Sequence, residues 1–141
     1  VFRGKRRFSL GIFSFVDGVS EVKKGESLTA FFTLKSDQEF LKDHFADFPV
    51  MPGVLQLESL RDAASRLLNE TAGTSKLYRL ESAGAVKYGQ FVKPRDHLKI
   101  FVRFVRQEQQ SSHFQGRIDL VDGDKPLGRV VLADFSLVPV N

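Results

Sequence analysis

Only one stretch of the chain keeps a helical period over several turns. Val54, Leu55, Leu57, Leu60, Ala63, Ala64, Leu67 and Leu68 recur at helical spacing, which predicts a helix over about 53–70. Pro52 and Gly53 stand at its start, where the missing proline N–H costs little, and Gly73 follows its end. Elsewhere the pattern is extended. Phe8 to Val16 is rich in Phe, Leu, Ile and Val and stops at Asp17-Gly18, a turn signal. Lys23-Lys24-Gly25-Glu26 marks a second turn, and Ser27 to Leu34 reads as the next strand. Leu77–Ser82, Ala85–Phe91, Leu98–Val105, Phe114–Val121 and Leu127–Val138 read as further strands. Asp122-Gly123 with Asp124 forms a hairpin turn between the last two. One long helix among five to seven antiparallel strands implies an α+β domain whose sheet packs on that helix. The helix is apolar over most of its circumference, as a helix wrapped by a sheet should be.

Composition narrows this reading. At 141 residues the chain fits a single domain, 1–141, with a real core. It has no cysteine, which removes disulfides, thiolate metal sites and Cys nucleophiles. Fourteen Phe and no Trp suit core packing or an apolar slot for an acyl chain or ring. The net charge of +4 is spread along the chain, with its densest run at Lys5-Arg6-Arg7. Aromatics do not interleave with a basic stripe, so nucleic acid is not the expected partner. The chain begins with Val rather than Met, which fits a trimmed or processed start. No stretch has the length of a membrane span and the start lacks a signal-peptide pattern. A soluble cytoplasmic protein is the expectation.

The segment from His44 to Glu58 carries candidate chemistry. It places a histidine in a Pro-bounded loop before the helix and a carboxylate in the helix's second turn. Histidine takes and returns a proton near neutrality. A carboxyl on a mostly apolar helix is a candidate general acid, because burial favours the protonated form. Between them, the N–H groups of Gly53 and Val54 point out of the helix start, where they can bind a carbonyl oxygen gaining negative charge. The residues alone also allow a plainer picture, in which His44 is a surface loop residue. Glu58, on the flank of the apolar face beside Val54, Leu55 and Asp62, would then be solvated.

His44-Phe45 followed by Pro49-x-Met51-Pro52-Gly53-Val54-Leu55-x-x-Glu58 resembles the signature of the 3-hydroxyacyl-acyl-carrier-protein dehydratases, the FabZ/FabA family. The family pattern is H-F-P-G-x-P-x-M-P-G-V-L-x-x-E, and Glu rather than Asp at its end points to the FabZ-like branch. Val86-Lys87-Tyr88-Gly89-Gln90-Phe91-Val92-Lys93-Pro94-Arg95-Asp96-His97-Leu98 resembles the family's V-K-F-x-x-P-V-x-P-G-D-x-L, and Phe15-Val16-Asp17-Gly18-Val19 its early L-V-D-x-V. The resemblance implies a hot-dog fold, a curved antiparallel β-sheet wrapped around one long central helix. It implies homodimers with shared active sites, a trimer of dimers being a further option. His44 of one subunit would face Glu58 of the other and remove the proton beside the thioester carbonyl. Glu58 would protonate the departing β-hydroxyl, and Gly53 would hold the carbonyl oxygen. The substrate would be a (3R)-hydroxyacyl thioester on acyl carrier protein or another carrier, giving the trans-2-enoyl product, with no cofactor and no metal.

The chain departs from the family at several positions. Ala46-Asp47 replaces Pro-Gly in the His44 loop, Phe91 replaces Pro and Arg95 replaces Gly. Asp62 stands where the family has Gln, four residues after Glu58, and two carboxylates so placed repel unless Arg61 or Arg66 neutralises Asp62. Phe45, Met51, Asp62 and Phe91 are thus candidate tunnel or tuning residues. Lys87, Lys93 and Arg95 are candidate contacts to an acidic carrier protein or its phosphopantetheine, or a charged strand edge. His97 and His113 lack metal spacing and read as structural. A hot-dog thioesterase and a non-catalytic acyl-binding or scaffold subunit are the alternatives to a dehydratase.

Overall fold

A computed structural model describes residues 14–35 and 50–141. Six strands and one helix follow in the order β1 (Gly18–Lys23), β2 (Ser27–Thr33), α1 (Gly53–Ala72), β3 (Tyr78–Tyr88), β4 (His97–Glu108), β5 (Ser111–Asp122) and β6 (Lys125–Pro139). They form one antiparallel sheet in the order β1-β2-β4-β5-β6-β3, so β1 and β3 are its edges. The helix touches β2 through β6 and crosses one face of the sheet. This is the expected α+β hot-dog architecture.

Alternation along the strands builds the core. Ala30 pairs with Ile100, Ile100 with Ile118, and Ile118 with Val131, so one apolar row runs across four strands. A neighbouring row joins Leu28, Val102, Gly116 and Ala133. Its small members make room for the helix: a Cβ on Gly116 would lie 2.8 Å from both Leu60 and Phe135. From the helix, Leu60, Ala63, Ala64 and Leu67 fill the space above. Most described phenylalanines are filler of this kind. Phe114 stacks on Phe135 at 5.4 Å, Phe104 meets Phe114 edge-on at 5.7 Å, and Phe15 meets Phe32 edge-on at 6.0 Å.

Several sequence expectations need correction. Residues 8–13 lie outside the described residues, but Ser14–Val16 form no strand and Asp17-Gly18 is no turn, since β1 starts at Gly18. The backbone at Phe15 is bonded to the helix instead. Its N–H donates to Asp62 Oδ2 at 3.1 Å, and its carbonyl accepts from Ser59 Oγ at 3.1 Å. The two strands expected over 77–91 are one strand, Tyr78–Tyr88, whose register shifts between Gly84 and Lys87, where Ala85 takes φ 49°. A bulge thus replaces the expected break; beyond Tyr88 the Gly89 and Gln90 amides still donate to the Val130 and Arg129 carbonyls of β6, and Phe91 lies past the strand. Val54, counted on the apolar face, is 67% exposed. The helix runs two residues past 70, to Ala72.

Candidate active site

The helix begins without a cap. Pro52 is the N-cap residue, makes no side-chain hydrogen bond to the first turn, and is followed by no acidic residue there. The amides of Leu55 and Gln56 both donate to the Pro52 carbonyl, at 3.0 and 3.2 Å. Those of Gly53 and Val54 precede any intrahelical acceptor. Among the described residues, two N–H groups at the positive end of a 20-residue helix therefore remain to receive an anion or a polarised carbonyl oxygen.

The approach to this helix end is shaped by a second element. Met51 N–H donates to the Val92 carbonyl at 2.9 Å, tying the entry to the helix onto the segment after β3. The Tyr88 ring lies over Gly53 so closely that a Cβ there would come within 2.8 Å of it. A larger residue there would have to displace the ring, and the Tyr88 phenol is a further donor beside Gly53. A cavity of about 390 Å³ opens here, walled by Val50, Met51, Gly53, Gln56, Tyr88 and Phe91 among others. Met51 is buried in its wall, and Phe91 stands at 66% exposure. Lys93 and Arg95 follow in the next turn. There the Asp96 N–H donates to the Lys93 carbonyl at 3.0 Å, and Lys93 N–H donates to Asp96 Oδ2 at 2.7 Å. Arg95 sits in this turn at φ 78°, the left-handed region that explains glycine at the matching family position. Lys87 lies in β3 beside Tyr88, and all three basic side chains are exposed.

Glu58 lies elsewhere. Five residues on from Gly53, it is turned about 140° around the helix axis, and it does not line the cavity. Its carboxylate is half-buried and accepts from Arg61 Nε at 2.7 Å, while Arg61 Nη1 donates to the Tyr78 carbonyl at 3.2 Å. Asp62 has its own partners. Arg66 Nε donates to it at 3.0 Å and the Phe15 amide at 3.1 Å. The anticipated neutralisation by Arg66 is thus present, and Asp62 is a tie between the helix and residue 15, not part of the cavity wall. His44, Phe45, Ala46 and Asp47 lie outside the described residues.

Two features escaped the sequence reading. Gln56 is buried on the helix face that carries Leu60, Ala63 and Leu67. Its spacing of four from Leu60 was the available signal for a polar residue on the buried stripe. On the opposite sheet face from Phe114 and Phe135, Ser111 and Ser136 donate to Glu81 Oε1 at 2.8 and 2.9 Å. These hydroxyls hold the Glu81 carboxyl below its ordinary range. His113 lies nearby, 3.4 Å from Glu108, and His97 Nδ1 is 2.8 Å from Thr33 Oγ1, both far along the chain from the helix start. Among the described residues no His, Asp and Glu cluster could hold a metal ion, and no helix is long and apolar enough to cross a membrane.

The family model for ApeI-like proteins, described as ApeI dehydratase, matches residues 20–123. The chain belongs to the ApeI-like dehydratases, within the FabZ-like family. The 3-hydroxyacyl-[acyl-carrier-protein] dehydratase FabZ of Oceanobacillus iheyensis is 34% identical over 113 residues, covering 79% of this chain and 80% of that protein. FabZ of Levilactobacillus brevis is 41% identical over 98 residues, covering 66% of this chain and 64% of its own length. In fold, this dehydratase-family chain is similar to a chain of the dehydratase heterocomplex ApeI:P from Xenorhabdus doucetiae. The TM-score is 0.72 at 16% identity, over 90% of this chain and 83% of that one.

Proposed function

We propose that this chain dehydrates a (3R)-hydroxyacyl thioester, carried on acyl carrier protein, to the trans-2-enoyl thioester. The observation that carries the reading is the uncapped helix start, where Gly53 lines a cavity in a chain of a dehydratase family. In this reading the Gly53 and Val54 amides accept the thioester carbonyl oxygen and stabilise the enolate-like charge that develops on it. His44 takes the proton from C2. The C3–oxygen bond breaks as Glu58 gives its proton to the leaving hydroxyl, water departs, and the electron pair closes the C2–C3 double bond. No redox partner is needed for this balance.

The angular separation of Gly53 and Glu58 supports a site completed by a second copy, since one helix presents them on different sides. The edge of β3, which pairs with no further strand among the described residues, supports the same dimer. Lys87, Lys93 and Arg95 would meet the acidic carrier at the cavity mouth. All described elements share one core, which supports reading residues 1–141 as one hot-dog domain. Pairing with a different hot-dog chain is a second reading, favoured by the heterocomplex in which the similar fold was solved.

The test is product identity. Incubated with a 3-hydroxyacyl carrier-protein thioester, the chain should form the enoyl thioester, and His44→Ala or Glu58→Gln should abolish it while leaving the fold intact. Free acid would indicate a thioesterase. No product from the chain alone, with activity on adding a partner chain, would favour the heterocomplex.

A further inference from the structure

Gln56 is 4% exposed, and its side chain forms part of the cavity wall at the helix start. Its amide nitrogen donates weakly to the Met51 carbonyl, at 3.4 Å. Its oxygen, Oε1, is buried with no hydrogen-bond partner among the described residues. A buried carbonyl oxygen without a donor is both costly and uncommon in folded proteins. The cavity that Gln56 lines is walled also by Val50, Met51, Phe91 and Val130, with Tyr88 and Gln90 as its other polar side chains, and neither of these donates to Oε1. An acceptor kept unsatisfied in a cavity wall is a place for a ligand that brings a donor.

Gln56 also stands in a definite relation to the carbonyl site. Three residues after Gly53, it is about 4.5 Å further along the helix and turned only about 60° from it. Gly53 is half-buried whereas Gln56 is fully enclosed, so Gln56 is the deeper of the two. A thioester held by its carbonyl oxygen at Gly53, with its acyl chain running inward, passes Gln56 with its next few atoms. The carbonyl oxygen and sulfur of that group only accept hydrogen bonds. Its one donor is the hydroxyl on C3.

We propose that Gln56 is a specificity-determining residue, whose Oε1 accepts a hydrogen bond from the 3-hydroxyl of the bound acyl thioester. It distinguishes the hydroxylated substrate from saturated acyl thioesters of the same length, because a ligand without the hydroxyl leaves the oxygen unpaired. This rests on the reading of the helix start as the thioester site. Glu58, on the other side of its own helix, retains the proton-donating role; Gln56 orients the group that leaves.

The experiment compares binding of two pantetheine thioesters. One is a 2,2-difluoro-3-hydroxyacyl thioester, which has no C2 proton to lose, and the other is its 3-deoxy counterpart. The intact wild-type chain should bind the hydroxylated ligand about tenfold more tightly. Gln56→Met, an apolar residue of similar length, should remove that preference by weakening the hydroxylated ligand alone, and it should melt no lower than wild type. Equal binding of the two ligands by wild type overturns the proposal without any variant. So does a Gln56→Met chain that keeps the preference, or one that weakens both ligands equally. Enoyl product formed without the preference overturns the role of Gln56 alone. The preference without enoyl product overturns the reaction alone.

Discussion

The two ends of the central helix are built differently. At the C-terminal end the backbone is tied off locally. Gly73 takes φ 66° and ends the helix, and both its N–H and that of Thr74 donate to the Asn69 carbonyl. The Asn69 side chain then accepts from Thr74 Oγ1 at 2.8 Å and from the Lys76 N–H at 2.9 Å. It also donates to the Lys76 carbonyl at 3.0 Å. At the N-terminal end, among the described residues, there is no capping side chain, two amides lack intrahelical acceptors, and a buried Gln oxygen has no partner. The same chain that ties off one terminus leaves the other polar, apolar-walled and unsatisfied. Stability is concentrated at the first end, and unspent hydrogen-bonding capacity at the second.

That contrast is breakable by mutation. The largest effect is expected at the open end: Gly53→Ala drives a methyl into the Tyr88 ring, and shifting either group should lower kcat/KM for a 3-hydroxyacyl thioester about 100-fold. Asn69→Ala at the closed end should instead lower unfolding free energy by about 1–2 kcal/mol, measured by urea denaturation, and leave kcat/KM unchanged. A swap of these phenotypes would dissolve the distinction. In the turn beside the open end, Arg95→Gly should raise stability by about 1 kcal/mol by relieving a left-handed non-glycine residue. The smallest change concerns neither end. Glu81, with its carboxyl below the ordinary range, contributes stability that is present above that range and lost as pH falls through its lowered folded value. Glu81→Gln should therefore flatten the acid limb of the stability curve without altering turnover.

Much of this architecture was legible in the sequence because periodicity carried it. The helix from Gly53 and the hairpin at Asp122-Gly123 follow from local signals that tertiary packing did not oppose. The continuity of β3 was not legible, since Gly84-Ala85 reads as a break, while the sheet absorbs it as a bulge with Ala85 at positive φ. Nor was the non-strand at Phe15-Val16 visible. Those residues have strand composition, but their backbone is satisfied by Ser59 and Asp62 from 44 and 47 positions away. At the site, the motif pointed to Gly53, Val54 and Glu58, whereas Tyr88 over Gly53 is a contact that no local pattern encodes. Gln56 could have been read from its place on the buried stripe. Its missing partner could not.

In the proposed reaction the Gly53 and Val54 amides receive the thioester carbonyl oxygen. The direct measurement is the infrared carbonyl stretch of an isotopically labelled saturated acyl thioester bound to the intact chain. Two donors at a helix start should move the band to lower frequency than in water, and Gly53→Ala should return most of the shift. A bound thioester whose carbonyl band stays at its aqueous position, with wild type and Gly53→Ala alike, would contradict it.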